Sequence, residues 1–199
     1  MNYVEYGNEN SDVIILLHGG GLSWRNYKEA AERLQTDYHV VLPILDGHAG
    51  CDKQFTTIEN NALDIIEFVN SKLGGSVLMM GGLSLGGQIL LEILSQRKDI
   101  CKYAIVESVL VVPSKFTYSM IKPAFGSCYG LIKYKWFSKL QFKSLRIKSN
   151  LFDEYYKDTS AIRKSDMIAF LQENSVYSLK DGIGECEARS IYYDLFRFR

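Results

Sequence analysis

The segment that most constrains this chain is Gly81-Gly82-Leu83-Ser84-Leu85-Gly86-Gly87. It follows an apolar run at Ser76–Met80 and precedes a stretch from Leu85 to about Arg97, where Leu90, Leu91, Ile93 and Leu94 make a helix apolar nearly all round. The flanks predict a buried strand, a sharp turn and a buried helix. Such a turn forces its serine into strained backbone geometry, tolerable only where neighbouring residues lack bulk. Gly82 and Gly86 supply that room. The turn then holds the Ser84 hydroxyl clear of the sheet at a helix N-terminus, whose partial positive charge favours a developing anion.

The surrounding pattern extends this reading. Val13–Leu17, Tyr38–Leu42, Ser76–Met80 and Tyr103–Val106 are continuous apolar runs bounded by glycine, proline or acidic residues. Strands of that kind are buried on both faces and belong to a parallel sheet covered by helices. Thr56-x-x-Glu59 reads as a capping box, and Ile58, Ala62, Ile65, Ile66, Val69 and Leu73 then share one helical face up to Gly74-Gly75. The fold class expected is α/β, a doubly wound, mostly parallel sheet.

A length of 199 residues suits a single domain with a real core. Basic and acidic residues both number 23, so net charge gives no global reason to expect nucleic acid or an anionic membrane. No apolar run is long enough to span a bilayer, and Met1-Asn2-Tyr3-Val4-Glu5 lacks the basic start of a signal peptide. Cys51, Cys101, Cys128 and Cys186 show no C-x-x-C spacing and read as free thiols in a reducing compartment. A cytoplasmic protein is expected.

Two further loops carry chemistry. His18-Gly19-Gly20-Gly21 follows the first apolar strand, where glycines let backbone N–H groups turn toward a substrate oxygen. A phosphate-binding loop is the alternative, but neither G-x-G-x-x-G nor G-K-[ST] spacing follows. Leu45-Asp46-Gly47-His48-Ala49-Gly50 follows the second strand. Asp46, His48, Cys51 and Asp52 are conceivable metal ligands, yet they crowd one loop with no partner pair elsewhere.

Three such motifs, in this order over roughly residues 12 to 112, resemble the α/β-hydrolase family of serine esterases and lipase-like hydrolases. The resemblance implies Ser84 as nucleophile and the backbone N–H groups of Gly20 and Leu85 as oxyanion donors. It makes His18 a structural anchor of its loop, and places Gly19, Gly21 and His48 around the site. It implies hydrolysis of a carboxylic ester, thioester or small amide through an acyl-serine, with a small-molecule acyl substrate, no metal and no organic cofactor. Related chemistries on the same scaffold, haloperoxidase-like or C–C-bond hydrolysis, stay open.

The family's triad runs Ser, then Asp or Glu, then His. Here the histidines are His18, His39 and His48, all before Ser84. The resemblance therefore implies a chain cut short near the seventh strand of the family, perceptible also in the aromatic and basic tail Arg189–Arg199. On that reading the last strands, the acid and the base are missing, and an exposed sheet edge favours self-association. Glu107 or His48 are substitutes for the base. A non-catalytic remnant or small-molecule-binding module is the rival from another class.

Between Ser114 and Lys148 lie eight Lys or Arg and no acidic residue, interleaved with Phe116, Tyr118, Phe125, Tyr129, Tyr134, Trp136, Phe137 and Phe142. Pro123, Gly126 and Gly130 are expected to break this stretch into short helices, and Asp153–Leu171 reads as another helical stretch. The division expected is a core at 1–112, an inserted helical lid at 113–180 and the start of a C-terminal core at 181–199. The lysines read either as a solvated face or as neighbours of an anionic head group or membrane surface, over an apolar acyl pocket. No stacking-platform motif points to nucleic acid, and no stable membrane insertion is expected.

Overall fold

The computed structural model describes residues 1–144 and 151–193. Six strands form one sheet: β1 (Asn2–Tyr6), β2 (Val13–Leu17), β3 (His39–Ile44), β4 (Val77–Leu83), β5 (Cys101–Glu107) and β6 (Arg189–Tyr193), in the spatial order β1-β3-β2-β4-β5-β6. Only β1 runs antiparallel, pairing Asn2 with Ile44 and Tyr6 with Val40. All other neighbours are parallel.

Helices cover both faces because alternate residues of the central strands are apolar on both sides. Ile14, Leu16, Val40 and Leu42 pack with Ala31 of α1 (Lys28–Leu34). On the opposite face Ile15, Leu17, Val41 and Met80 meet α2 (Ile58–Lys72) and α3 (Leu85–Gln96). Ile65, Ile89, Leu90, Ile93 and Leu94 are buried there almost completely.

Among the described residues, four α-helices lie between β5 and β6 in chain order: α4 (Lys115–Cys128), α5 (Lys135–Ser144), α6 (Phe152–Ala161) and α7 (Lys164–Val176). This is the inserted helical block of the expected fold class. Three local expectations are corrected. The cap of α2 is Thr57, not Thr56: its backbone is extended and its hydroxyl accepts the Asn60 N–H, while the Thr56 hydroxyl takes the Asn60 side-chain amide. Pro123 and Gly126 do not break the chain, since both lie inside α4. Proline removes one helical N–H, but Ser119 and Pro123 are both exposed, so water can satisfy the freed carbonyl. The expected Asp153–Leu171 stretch is two helices, separated at Ile162–Arg163.

Strand β1 was not expected as a strand, and β6 stands where the start of a C-terminal core was expected. The first is short, with Asn2, Tyr3 and Glu5 exposed and only Val4 and Tyr6 half-buried. The second begins the aromatic and basic tail and pairs with β5 from Tyr103↔Arg189 to Glu107↔Tyr193; residues 194–199 of that tail lie outside the described residues. No helix among the described residues is long and apolar enough to cross a membrane.

Candidate active site

The turn from β4 into α3 places Ser84 at φ 52° and ψ −112°, a left-handed conformation that residues with a side chain rarely adopt. Its hydroxyl makes no capping bond to the helix that follows. The backbone is fixed instead: the Ser84 N–H donates to the Glu107 carbonyl at 2.9 Å, and the Gln88 N–H donates to the Ser84 carbonyl at 3.0 Å. Among the described residues Ser108, just past β5, is the other non-glycine residue with positive φ, at 53°. Two strained serines thus close the ends of adjacent strands.

The glycines around Ser84 are required by contact. A Cβ on Gly82 would lie 2.4 Å from the Gly86 carbonyl oxygen, and one on Gly86 would lie 2.3 Å from that of Leu17. Strand, turn and helix are packed backbone to backbone, which any side chain at either position would prevent.

The loop after β2 runs alongside this turn. Gly19 approaches the Leu83 side chain and carbonyl, and Gly20 faces the Leu85 Cβ and the Phe170 ring. Leu85 is the first residue of α3, where backbone N–H groups have no partner within the helix. The sequence-predicted Gly19, Gly20, Ser84 and Leu85 are therefore brought together.

His18 and His48 hold the loop from behind. The fully buried His18 donates from Nδ1 to the Gly19 carbonyl at 3.0 Å, and its Nε2 accepts the Leu45 N–H at 3.3 Å. It therefore ties the loop after β2 to the loop after β3. His48 donates from Nδ1 to the Asp46 carbonyl at 3.0 Å, and its Nε2 accepts the Gly21 N–H at 3.1 Å. Both rings must be neutral to make these bonds. Burial pushes the His18 pKa down to about 3, with His48 adding to the effect, and that of His48 down to about 4. His39 lies at the start of β3, where its Nε2 meets Glu5 at 3.1 Å. Asp46 and Cys51 bond to each other, Sγ to carboxylate, at 3.5 Å.

Several contributors lay beyond sequence reasoning. Phe170 of α7 stacks on His48 with centroids 4.9 Å apart and abuts Gly20. Gln88 of α3 is fully buried and exchanges side-chain bonds with Asn174, donating to its carbonyl at 3.0 Å and accepting from its side chain at 2.9 Å. Asp166 accepts the Phe55 N–H at 3.0 Å and the Arg163 guanidinium at 2.6 Å. Tyr27 is raised well above the usual phenol range by burial, with the Glu107 carboxylate adding to it. Such contacts join positions far apart in the chain, and no local pattern announces them. Beside Gly20 lies a cleft of about 240 Å³ lined by Phe125, Ile132, Met167, Phe170 and Leu171.

Solved structures share this fold. A bromoperoxidase from Bacillus anthracis superposes with a TM-score of 0.79 at 12% identity, over 96% of this chain and 75% of its own. An enol-lactonase from Burkholderia xenovorans LB400 gives 0.77 at 12%, covering 96% and 76%. A thermophilic esterase from Thermogutta terrifontis gives 0.71 at 13%, covering 97% and 84%. At such identities the likeness is one of fold. No curated protein matches by sequence. The sequence profile of the alpha/beta hydrolase family, however, matches residues 14–179, which includes nearly all of β2, the strands β3 to β5, the turn at Ser84 and the inserted helices, but not β1 or β6. With most of its length inside that profile, and hydrolysis as the family's general chemistry, this chain belongs to the alpha/beta hydrolase family.

Proposed function

We propose that the protein is a serine hydrolase acting on a carboxylic ester, thioester or small amide. Ser84 Oγ attacks the carbonyl carbon, the backbone N–H groups of Gly20 and Leu85 receive the oxyanion, and the leaving group departs with a proton. Water then hydrolyses the acyl-serine. The route uses a side-chain oxygen and backbone donors, so it requires no metal or organic cofactor. The observation that carries this reading is the backbone of Ser84, strained at φ 52° with its hydroxyl not spent on capping α3. The apolar cleft beside Gly20 supports an acyl chain or apolar leaving group as its occupant. The free cysteines fit a cytoplasmic setting. The topology supports a core at 1–112, a lid at 113–180 and a resumed core from 181.

A second reading has its own support. His18 and His48 each use both ring nitrogens in holding loops, and His39 sits at the far end of its strand. None of them is placed as a base for Ser84. Without a base, oxyanion binding alone still gives roughly 10³ to 10⁴ over water, and the protein acts mainly as a binder of small acyl compounds. Glu107, whose carbonyl accepts the Ser84 N–H, is the carboxylate nearest by backbone register to supply the missing step.

Intact-mass detection of a fluorophosphonate adduct separates the two. On the hydrolase reading the chain gains one adduct, which Ser84→Ala abolishes and Glu107→Gln slows. A cooperatively folded chain that gains no adduct would establish the binding reading instead.

A further inference from the structure

Most large apolar side chains of this protein are buried, but the outer helices of the insertion depart from that rule. On α5, Trp136 and Leu140 are each 64% exposed, one helical turn apart. Lys135, Lys139 and Lys143, also exposed, repeat at the same spacing. At about 100° per residue the three lysines fall side by side on one arc, with Trp136 and Leu140 on the arc next to it. The opposite face holds buried Ser138 and Phe142, which attach the helix to the protein: the Ser138 hydroxyl donates to the Ile132 carbonyl, and Phe142 packs on Phe152 and Tyr155. The amphipathic order of α5 is thus fulfilled inward, and a second apolar stripe is left facing outward.

Helix α4 also exposes apolar side chains: Phe116 is 76% exposed and Met120 48%, one turn apart, with the exposed Lys115 and Lys122 about 130° round the helix from them. The segment carrying both helices has eight basic residues and no acidic one between Ser114 and Lys148, although the whole chain is neutral. Lys135 faces Asp153 of α6 at 3.7 Å and Lys139 lies over the Phe152 ring, so the excess of positive charge on this face rests mainly on Lys139 and Lys143.

We propose that this outer face, centred on α5, docks the protein peripherally on an anionic phospholipid surface. The lysines meet the lipid phosphates. Trp136 and Leu140 enter the boundary between head groups and acyl chains, where an indole ring is favoured and an exposed leucine leaves water. The apolar residues select a bilayer over a nucleic acid, because Leu140 and Met120 offer no ring to stack on a base. Docking would present the cleft beside Gly20, whose lining includes Phe125 of α4 and Ile132 just before α5, to molecules dissolved in the lipid.

The test is co-sedimentation of the full chain with vesicles of equimolar phosphatidylcholine and phosphatidylglycerol, against vesicles of phosphatidylcholine alone. The expected result is binding to the anionic vesicles, weakened by added salt, with a blue shift of tryptophan emission. Each of Lys135→Gln, Lys139→Gln and Lys143→Gln should lower partitioning by about fivefold. The double variant Trp136→Ser/Leu140→Ser should lose binding and the blue shift while keeping its far-ultraviolet circular dichroism, since both side chains are mostly exposed. Ser84→Ala should bind like the parent, which separates docking from catalysis. Absence of binding by the folded chain at low salt, equal binding to neutral vesicles, or undiminished binding by the double variant would each overturn the proposal. Binding to soluble polyphosphate but not to vesicles would overturn it as well.

Discussion

Phe170 and Trp136 are aromatic residues of one insertion with opposite surroundings. Phe170, on α7, is 3% exposed and lies between His48, Phe55 and Gly20. Trp136, on α5, is 64% exposed and touches Phe137 edge-on. Around Phe170 the polar contacts are equally committed, through Asp166 to the Phe55 N–H and through Asn174 to Gln88. Helix α7 is therefore part of the core in everything but chain order, whereas α4 and α5 are an outer layer. A single label such as lid conceals this. The α7 side chains beside Gly20 are packed and hydrogen-bonded, and the exposed apolar surface belongs to α4 and α5.

The contrast can be broken most severely at a glycine. Gly86→Ala drives a Cβ into the Leu17 and His18 carbonyls at 2.3 and 2.6 Å. Neither strand nor helix can give way, so a loss of more than about 4 kcal/mol is expected, read as failure to recover a cooperative thermal transition. Phe170→Ala should cost about 3–5 kcal/mol by denaturant unfolding, against a change within about 0.5 kcal/mol for Trp136→Ala. Equal losses at the two positions would show that the division between the two layers is wrong.

Acid gives an effect of intermediate size that also falls on the inner layer. The folded pKa values of His18 and His48 lie below the ordinary 6.5, so the unfolded chain binds more protons as pH falls. Their contribution is complete above pH 6.5 and is lost progressively as pH falls toward about 4 for His48 and about 3 for His18. A protonated His48 can no longer accept the Gly21 N–H, so in the folded protein the loop loosens only at the lower end, near pH 4. Melting temperature should decline as pH drops below 6.5; a flat profile down to about 4 would contradict these placements. The smallest expected effect is a gain. Gly126 lies within α4 with open space where a Cβ would stand. Gly126→Ala should stabilise by about 0.5–1 kcal/mol, the reverse of Gly86→Ala.

What was legible in the sequence follows the same division. Val13–Leu17 and the run before Gly81 announce themselves because a strand buried on both faces must be apolar throughout, and the glycines at 82 and 86 because close backbone approach excludes every other residue. Strand β1 carries no such mark: it is an exposed edge, and its pairing with β3 comes from backbone bonds that any sequence can make. Likewise α4 runs through Pro123 because its solvent-facing side leaves the unpaired carbonyl to water, a circumstance that only the fold reveals. At the site, Ser84 and the loop at His18–Gly21 were readable from local spacing. Phe170, Gln88 and Asp166 were not, since each acts on a partner more than seventy residues away or across an insertion.

The bond from the Ser84 N–H to the Glu107 carbonyl carries a consequence for how the protein folds. Leu83 pairs with Glu107 at the last position of the β4–β5 ladder, so one of the two backbone bonds that fix Ser84 is absent until that ladder is complete. During refolding, collapse and helix formation should precede the appearance of a reactive serine. The adduct-forming fraction after a short refolding interval would then be a clock for the closing of one hydrogen bond between neighbouring strands.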